Sequence, residues 1–148
     1  MELVENTPLD VRKIAELITD KEDMFLVWPA AKWPFDPDQW AEKLDPAKGN
    51  FDFFVYDAGA LAGHAALLNK GEPDSLMVSF LYIVPTLRSK GLGGKMIGLL
   101  ADFARARGVK RLNLGVRDYN LRGLACYRRC GFREYERDGT LIRMEKDL

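Results

Sequence analysis

The chain has 148 residues, of which 47% are hydrophobic and 30% charged, with no net charge. That length predicts one domain over residues 1–148, the composition excludes a disordered chain, and no apolar run is long enough for a membrane span. The zero net charge conceals a split: residues 1–85 hold 7 Lys/Arg against 15 Asp/Glu, and residues 86–148 hold 15 Lys/Arg against 7 Asp/Glu. Such a split suits a charged partner for each half, or two halves that interleave in the fold and cancel.

In chain order, the acidic, mixed opening MELVENTPLD predicts neither a signal nor a transit peptide. Residues Glu2–Glu5 suit a short edge strand. Thr7 reads as an N-cap and Pro8 as the first helical residue of a helix running to about Asp20, with Val11, Ile14, Ala15, Leu17 and Ile18 at helical spacing. Two Trp-Pro pairs then predict an aromatic-rich loop over 24–35, because proline disfavours helix at the residue before it. A second helix follows near Pro37–Leu44.

Phe51–Asp57 and Ala60–Asn69 read as a hairpin around Ala58-Gly59, and the nearly all-apolar Leu76–Val84 as a central strand covered on both faces. A glycine-rich turn leads into a helix from about Gly93 to Arg107, with Met96, Leu99, Leu100, Phe103 and Ala104 as its buried stripe. Arg111–Val116 is a strand, Asn120–Cys130 a short helix stopped by Gly131, and 132–137 with 140–146 a hairpin around Asp138-Gly139. The central strand, its helix and Arg111–Val116 form a β-α-β crossover with parallel strands. The fold class is therefore mixed α+β: a mostly antiparallel sheet with one parallel crossover and helices on both faces.

The turn Arg88-Ser89-Lys90-Gly91-Leu92-Gly93-Gly94-Lys95 lies between a central strand and a helix. Its glycines let backbone approach a ligand, and a helix N-terminus with three nearby cations attracts phosphate. It satisfies neither the P-loop pattern, since Lys95 precedes Met96, nor the dinucleotide fingerprint, since Met96 stands where the third glycine belongs. Cys126 and Cys130 are the only cysteines, which excludes a disulfide scaffold, and with the single His64 they lack partners for a four-ligand zinc site, so no metal is expected. A cytoplasmic location follows as the default for such cysteine usage.

Arg88-x-x-Gly91-x-Gly93 after a strand ending in Val84-Pro85 resembles motif A of the GNAT superfamily of N-acetyltransferases, and Asn120-x6-Tyr127-x3-Gly131-Phe132 resembles its motif B. The resemblance implies acetyl-CoA as co-substrate and direct transfer of acetyl to a primary amine in a ternary complex. It places backbone groups of Tyr82, Ile83 and Val84 on the pantetheine and acetyl carbonyl, and the loop from Arg88 through Ser89, Lys90, Gly91, Leu92 and Gly93 to Gly94 and Lys95 on the pyrophosphate. Asn120 would meet the pantetheine, and the Tyr127 phenol would stand at the sulfur and donate to it as it leaves.

Many relatives carry a glutamate on the strand before motif A, whereas Leu76–Val84 has no carboxylate. The general base stays open between His64, Glu72, Asp74 and an ordered water relay. The resemblance implies acceptor recognition in residues 24–35 and in the hairpin at 137–140; Met24, Trp28, Trp33 and Phe35 line an apolar or cation-π pocket or else staple helices to the sheet, and Asp36, Asp38 and Glu42 nearby would favour a cation. The implied partners are acetyl-CoA and an amine, neither nucleic acid nor membrane; dimers are common in the family, and no segment here shows one. An acyl-CoA-binding sensor without turnover is the alternative reading.

Overall fold

The computed structural model describes all residues, 1–148. Seven strands form one sheet in the order β1-β2-β3-β4-β5-β7-β6. They are β1 (Glu2–Glu5), β2 (Phe51–Asp57), β3 (Ala60–Leu68), β4 (Ser75–Ile83), β5 (Arg111–Arg117), β6 (Arg133–Asp138) and β7 (Leu141–Asp147). Every neighbouring pair is antiparallel except β4 and β5. Helices α1 (Val11–Leu17), α2 (Lys21–Val27) and α3 (Pro37–Lys43) cover one face; α4 (Leu92–Ala106) and α5 (Leu121–Arg129) cover the other.

Strand alternation divides the core between the faces. Phe53 and Val55 of β2, Ala65 and Leu67 of β3, and Leu112, Leu114 and Val116 of β5 pack with Met96, Ile97 and Leu100 of α4. Phe54, Ala66, Leu68, Phe80 and Tyr82 pack with Ile14, Ile18, Met24 and Trp40 on the other side. The two charge halves do not interleave in the sheet. The acidic half supplies β1 to β4 and the basic half β5 to β7, so the seam between them is the parallel β4/β5 junction.

The N-terminal third departs from the expected elements. Asp10, not Thr7, caps α1, accepting from the Lys13 amide at 3.3 Å. That helix ends at Leu17, and Asp20 caps a further helix, accepting from the Asp23 amide at 2.9 Å. Thus residues 24–27, expected as loop, are helical, while 28–35 with both Trp-Pro pairs form no helix, as expected; Trp28 is extended (φ −148°, ψ 100°) before Pro29. Trp28 and Phe35 turn inward: their rings lie 5.0 Å and 5.6 Å from buried Trp40, and Trp28 is 5.2 Å from Phe80. The aromatic segment therefore staples α2 and α3 to the sheet.

β4 carries a bulge. Ala66 of β3 pairs with Ser79 while His64 pairs with Tyr82, so one residue of β3, Ala65, faces two of β4, Phe80 and Leu81. Phe80 adopts φ +53°, uncommon for a side chain of that size. The extra residue inverts the strand's alternation: Leu76 and Val78 face α4, whereas Phe80 and Tyr82 face α1–α3.

Candidate active site

β4 and β5 pair only over Ser75–Met77 with Arg111–Asn113 and then diverge. Beyond that point their facing edges lack a strand partner, leaving peptide N–H and C=O groups with hydrogen-bonding capacity to fill. A cavity of about 880 Å³ opens in the splay. One wall is β4 from Met77 to Ile83, the opposite wall β5 from Leu114 to Arg117. The β4–α4 loop and α5 close one side; α2, with Leu141 and Arg143 of β7, closes the other.

The glycine-rich turn reaches this cavity through Arg88, Ser89 and the run Gly91–Gly94; Lys90, Lys95 and Val84 do not line it. Gly91 takes φ +78° at the N-cap of α4 and provides no side-chain acceptor, so the first-turn amides stay available to an anion. Gly93 matters for a different reason: a Cβ there would lie 3.2 Å from Cys126 Sγ, a tight contact, so its absence eases the packing of α4 on α5. The Arg88 guanidinium is turned toward α2: Nε donates to the Ile83 carbonyl at 2.9 Å and Nη2 to Asp23 Oδ2 at 2.9 Å. Asp23 also accepts from the Tyr82 hydroxyl at 3.3 Å. This side chain therefore locks the end of β4 to α2, a contact the sequence pattern does not reveal.

α5 brings both motif B residues to the cavity wall. Asn120 caps the helix, its Oδ1 accepting from the Gly123 amide at 3.0 Å. Tyr127 packs edge-on to Phe132, with ring centroids 6.0 Å apart. Burial, reinforced by Cys126 and Cys130, pushes the Tyr127 phenol up to about 12. It is therefore protonated throughout the neutral range. Burial, with Cys130 beside it, likewise pushes the Cys126 thiol up to about 11, which makes it a poor nucleophile.

The residues expected to bind the acceptor lie elsewhere. Phe35 and Trp33 do not line the cavity, and Trp28 borders a separate hollow with Gln39 and Lys43. His64 is fully buried; Nε2 meets Asp52 Oδ1 at 2.6 Å and Nδ1 meets the Phe80 carbonyl at 2.9 Å. It supports the bulge and does not face the cavity. Asp36 caps α3, and neither Glu72, Asp74, Asp38 nor Glu42 borders the site. Asp23 is the only carboxylate on the wall. Sequence reading missed α2 as a wall element, although Asp20 followed by Glu22 and Asp23 is a helix-start pattern. It also missed Arg117 and Arg143, because nothing local marks a sheet-face arginine as cavity-lining.

The model of the acetyltransferase (GNAT) family matches residues 14–132. The chain belongs to the GNAT family. Among curated relatives, this GNAT chain is 38% identical over 74 residues to streptothricin acetyltransferase of Streptomyces lavendulae, a match covering 50% of the chain and 39% of that protein. The matched stretch thus spans well under half the length of that relative. Among solved structures, the GNAT domain of S. lividans PAT superposes with a TM-score of 0.82 at 15% identity, covering 99% of this chain and 89% of that one. Spermidine N-acetyltransferase from Vibrio cholerae, solved with CoA and spermine, gives 0.80 at 20% identity, covering 99% and 94%. These structural likenesses concern the fold. In this GNAT chain no helix is long and apolar enough to cross a membrane.

Proposed function

We propose that the chain transfers acetyl from acetyl-CoA to a primary amine within a ternary complex, in the cytoplasm. The observation that carries this reading is the β4/β5 splay ending at the α4 N-terminus, with Tyr127 on the same wall. A pantetheine arm, with its two amides, matches the unpaired strand edges. The pyrophosphate suits the first-turn amides of α4, where Gly91, Gly93 and Gly94 carry no side chain and that of Leu92 is buried. Arg122, donating to Ser89 Oγ at 2.7 Å, and Arg129 add positive charge on that side.

The bulge at Phe80 breaks the β3 ladder beside the splay, and the Leu81 and Tyr82 backbone is the group suited to polarise the acetyl carbonyl. The neutral amine attacks that carbon; a C–N bond forms and the C–S bond breaks. Tyr127 donates its proton to the departing thiolate, and the proton lost by nitrogen returns the phenol to its neutral form through solvent. No covalent enzyme intermediate is required.

Calorimetry with acetyl-CoA followed by thiol-release assays on an amine panel tests the reading. Micromolar binding with turnover on at least one amine is expected; binding without turnover on any amine favours the sensor, and no binding removes both.

A further inference from the structure

The cavity has two chemically distinct sides. Leu112, Leu114 and Val116 of β5 and Ile142 and Met144 of β7 point into the α4-side core. Their alternates Gly115, Arg117, Leu141 and Arg143 must therefore face the opposite side, where α2 stands. The register pairs Gly115 with Arg143 and Arg117 with Leu141, so the two arginines are diagonal neighbours on one face.

Neither charge is well compensated. Arg117 donates from Nη1 to Thr140 Oγ1 at 3.0 Å, a neutral partner. Arg143 has only Glu136 at 3.9 Å, with both side chains largely exposed, a pair worth little. Opposite them, Asp23 already serves Arg88 and Tyr82. The α2 contribution to the wall is otherwise apolar: Phe25, Leu26 and Val27. Two like charges left as neighbours beside a cavity cost energy that an anion would recover.

We propose that Arg117 and Arg143 seat a carboxylate of the acceptor, so that the substrate class is an α-amine with a carboxylate a few bonds away and an apolar flank. This is the chemistry of an apolar amino acid or of the amino end of an acidic peptide, and it rests on the acetyl-transfer reading above. A polyamine fits poorly, since this side of the wall presents Arg117 and Arg143 and the one lining carboxylate, Asp23, is engaged by Arg88. The lack of a base on the wall agrees. At pH 7 an alkylamine with pKa of about 10.4 is neutral in about one molecule in 2,500, whereas a peptide α-amine at about 7.7–8.0 is neutral in roughly one in ten. The second needs no side chain to remove its proton.

The test compares acetyl transfer to phenylalanine, phenylalaninamide, phenethylamine, spermidine, and two peptides beginning Phe-Glu and Phe-Gln. The carboxylate-bearing member of a matched set should have the higher kcat/KM by about tenfold or more, as a charge-assisted contact provides. Phenylalanine against its amide and Phe-Glu against Phe-Gln distinguish a free amino acid from a peptide. In Arg143→Gln and Arg117→Gln the preference should shrink toward one, with partial return in Arg143→Lys. Calorimetric titration of the CoA-loaded protein with the same compounds reads the site independently of turnover. Carboxylate binding that Arg143→Gln removes supports the proposal even if no transfer occurs, a result that would instead sink the acetyl-transfer reading. Spermidine or phenethylamine as the preferred acceptor, or carboxylate binding unchanged in both arginine variants, would overturn it.

Discussion

The Nδ1 atom of His64 stands 2.9 Å from the carbonyl of Phe80, the residue that makes the bulge in β4. Its other ring nitrogen faces Asp52 at 2.6 Å. With a carbonyl at one ring nitrogen and the Asp52 carboxylate at the other, the arrangement favours the doubly protonated ring. Asp52 is held in turn by Asn6, whose Nδ2 donates to Oδ2 at 2.8 Å. The other charged or titratable groups around the ring are Lys13 of α1, over the Phe54 ring at 4.6 Å, and Tyr82, its register partner on β4.

The His64 pKa is raised: burial works against the charge, but attraction and hydrogen bonding from Asp52 and the Phe80 carbonyl outweigh it. A raised folded value stabilises the fold fully below the ordinary histidine range of about 6.5, and that contribution disappears as pH climbs through the folded value. Nitrogen NMR should show a doubly protonated ring at pH 7, unambiguous because the chain has one histidine. Denaturation midpoints should fall on the alkaline side. His64→Gln should cost about 3 kcal/mol, as removing one member of a buried pair does. A neutral ring at pH 7 would remove the account.

Tyr127 gives a kinetic prediction. Tyr127→Phe should lower kcat by about 100-fold, the lower end of what a positioned acid provides, while leaving acetyl-CoA affinity unchanged. With the phenol pushed up to about 12, the wild-type rate should show no falling limb below about pH 10 attributable to this group. Pre-steady-state thiol release in both proteins checks the point; an unchanged rate in the variant would strip Tyr127 of the acid role.

The rising limb should belong to the acceptor. His64 is enclosed and Asp23 is bound to Arg88, so no wall group is placed to deprotonate the amine. The profile of kcat/KM should therefore rise with pH to the amine's own pKa and shift when acceptors of different basicity are compared. A limb fixed at one value for every acceptor would reveal an enzyme base.

The two glycines of the turn should fail differently. Gly91→Ala forces a side chain into φ +78°, at about 1–2 kcal/mol, and should weaken acetyl-CoA binding by about tenfold through the loop. Gly93→Val brings branched carbon against Cys126 Sγ, already 3.2 Å from the Cβ position. It should separate α4 from α5 and lower thermal stability as well as affinity. Calorimetry and thermal melts on the same two variants separate the effects.

The strands, the β4-α4-β5 crossover and both motifs were legible in the residues alone. Their signals are local: β4 is apolar but for Ser75 and Ser79, Gly91 and Gly93 open a helix, and Asp138-Gly139 turns a hairpin. Sequence by itself therefore determined which segments meet where the β4/β5 splay reaches the α4 N-terminus. Only the tertiary structure decided the other side. Whether Trp28 faces ligand or core, whether His64 reaches a cavity, and whether Arg117 and Arg143 become neighbours depend on pairings between distant strands. The bulge at Phe80 inverts every side chain after it, and no neighbouring residue announces it, because it is fixed by the register of β3 against β4.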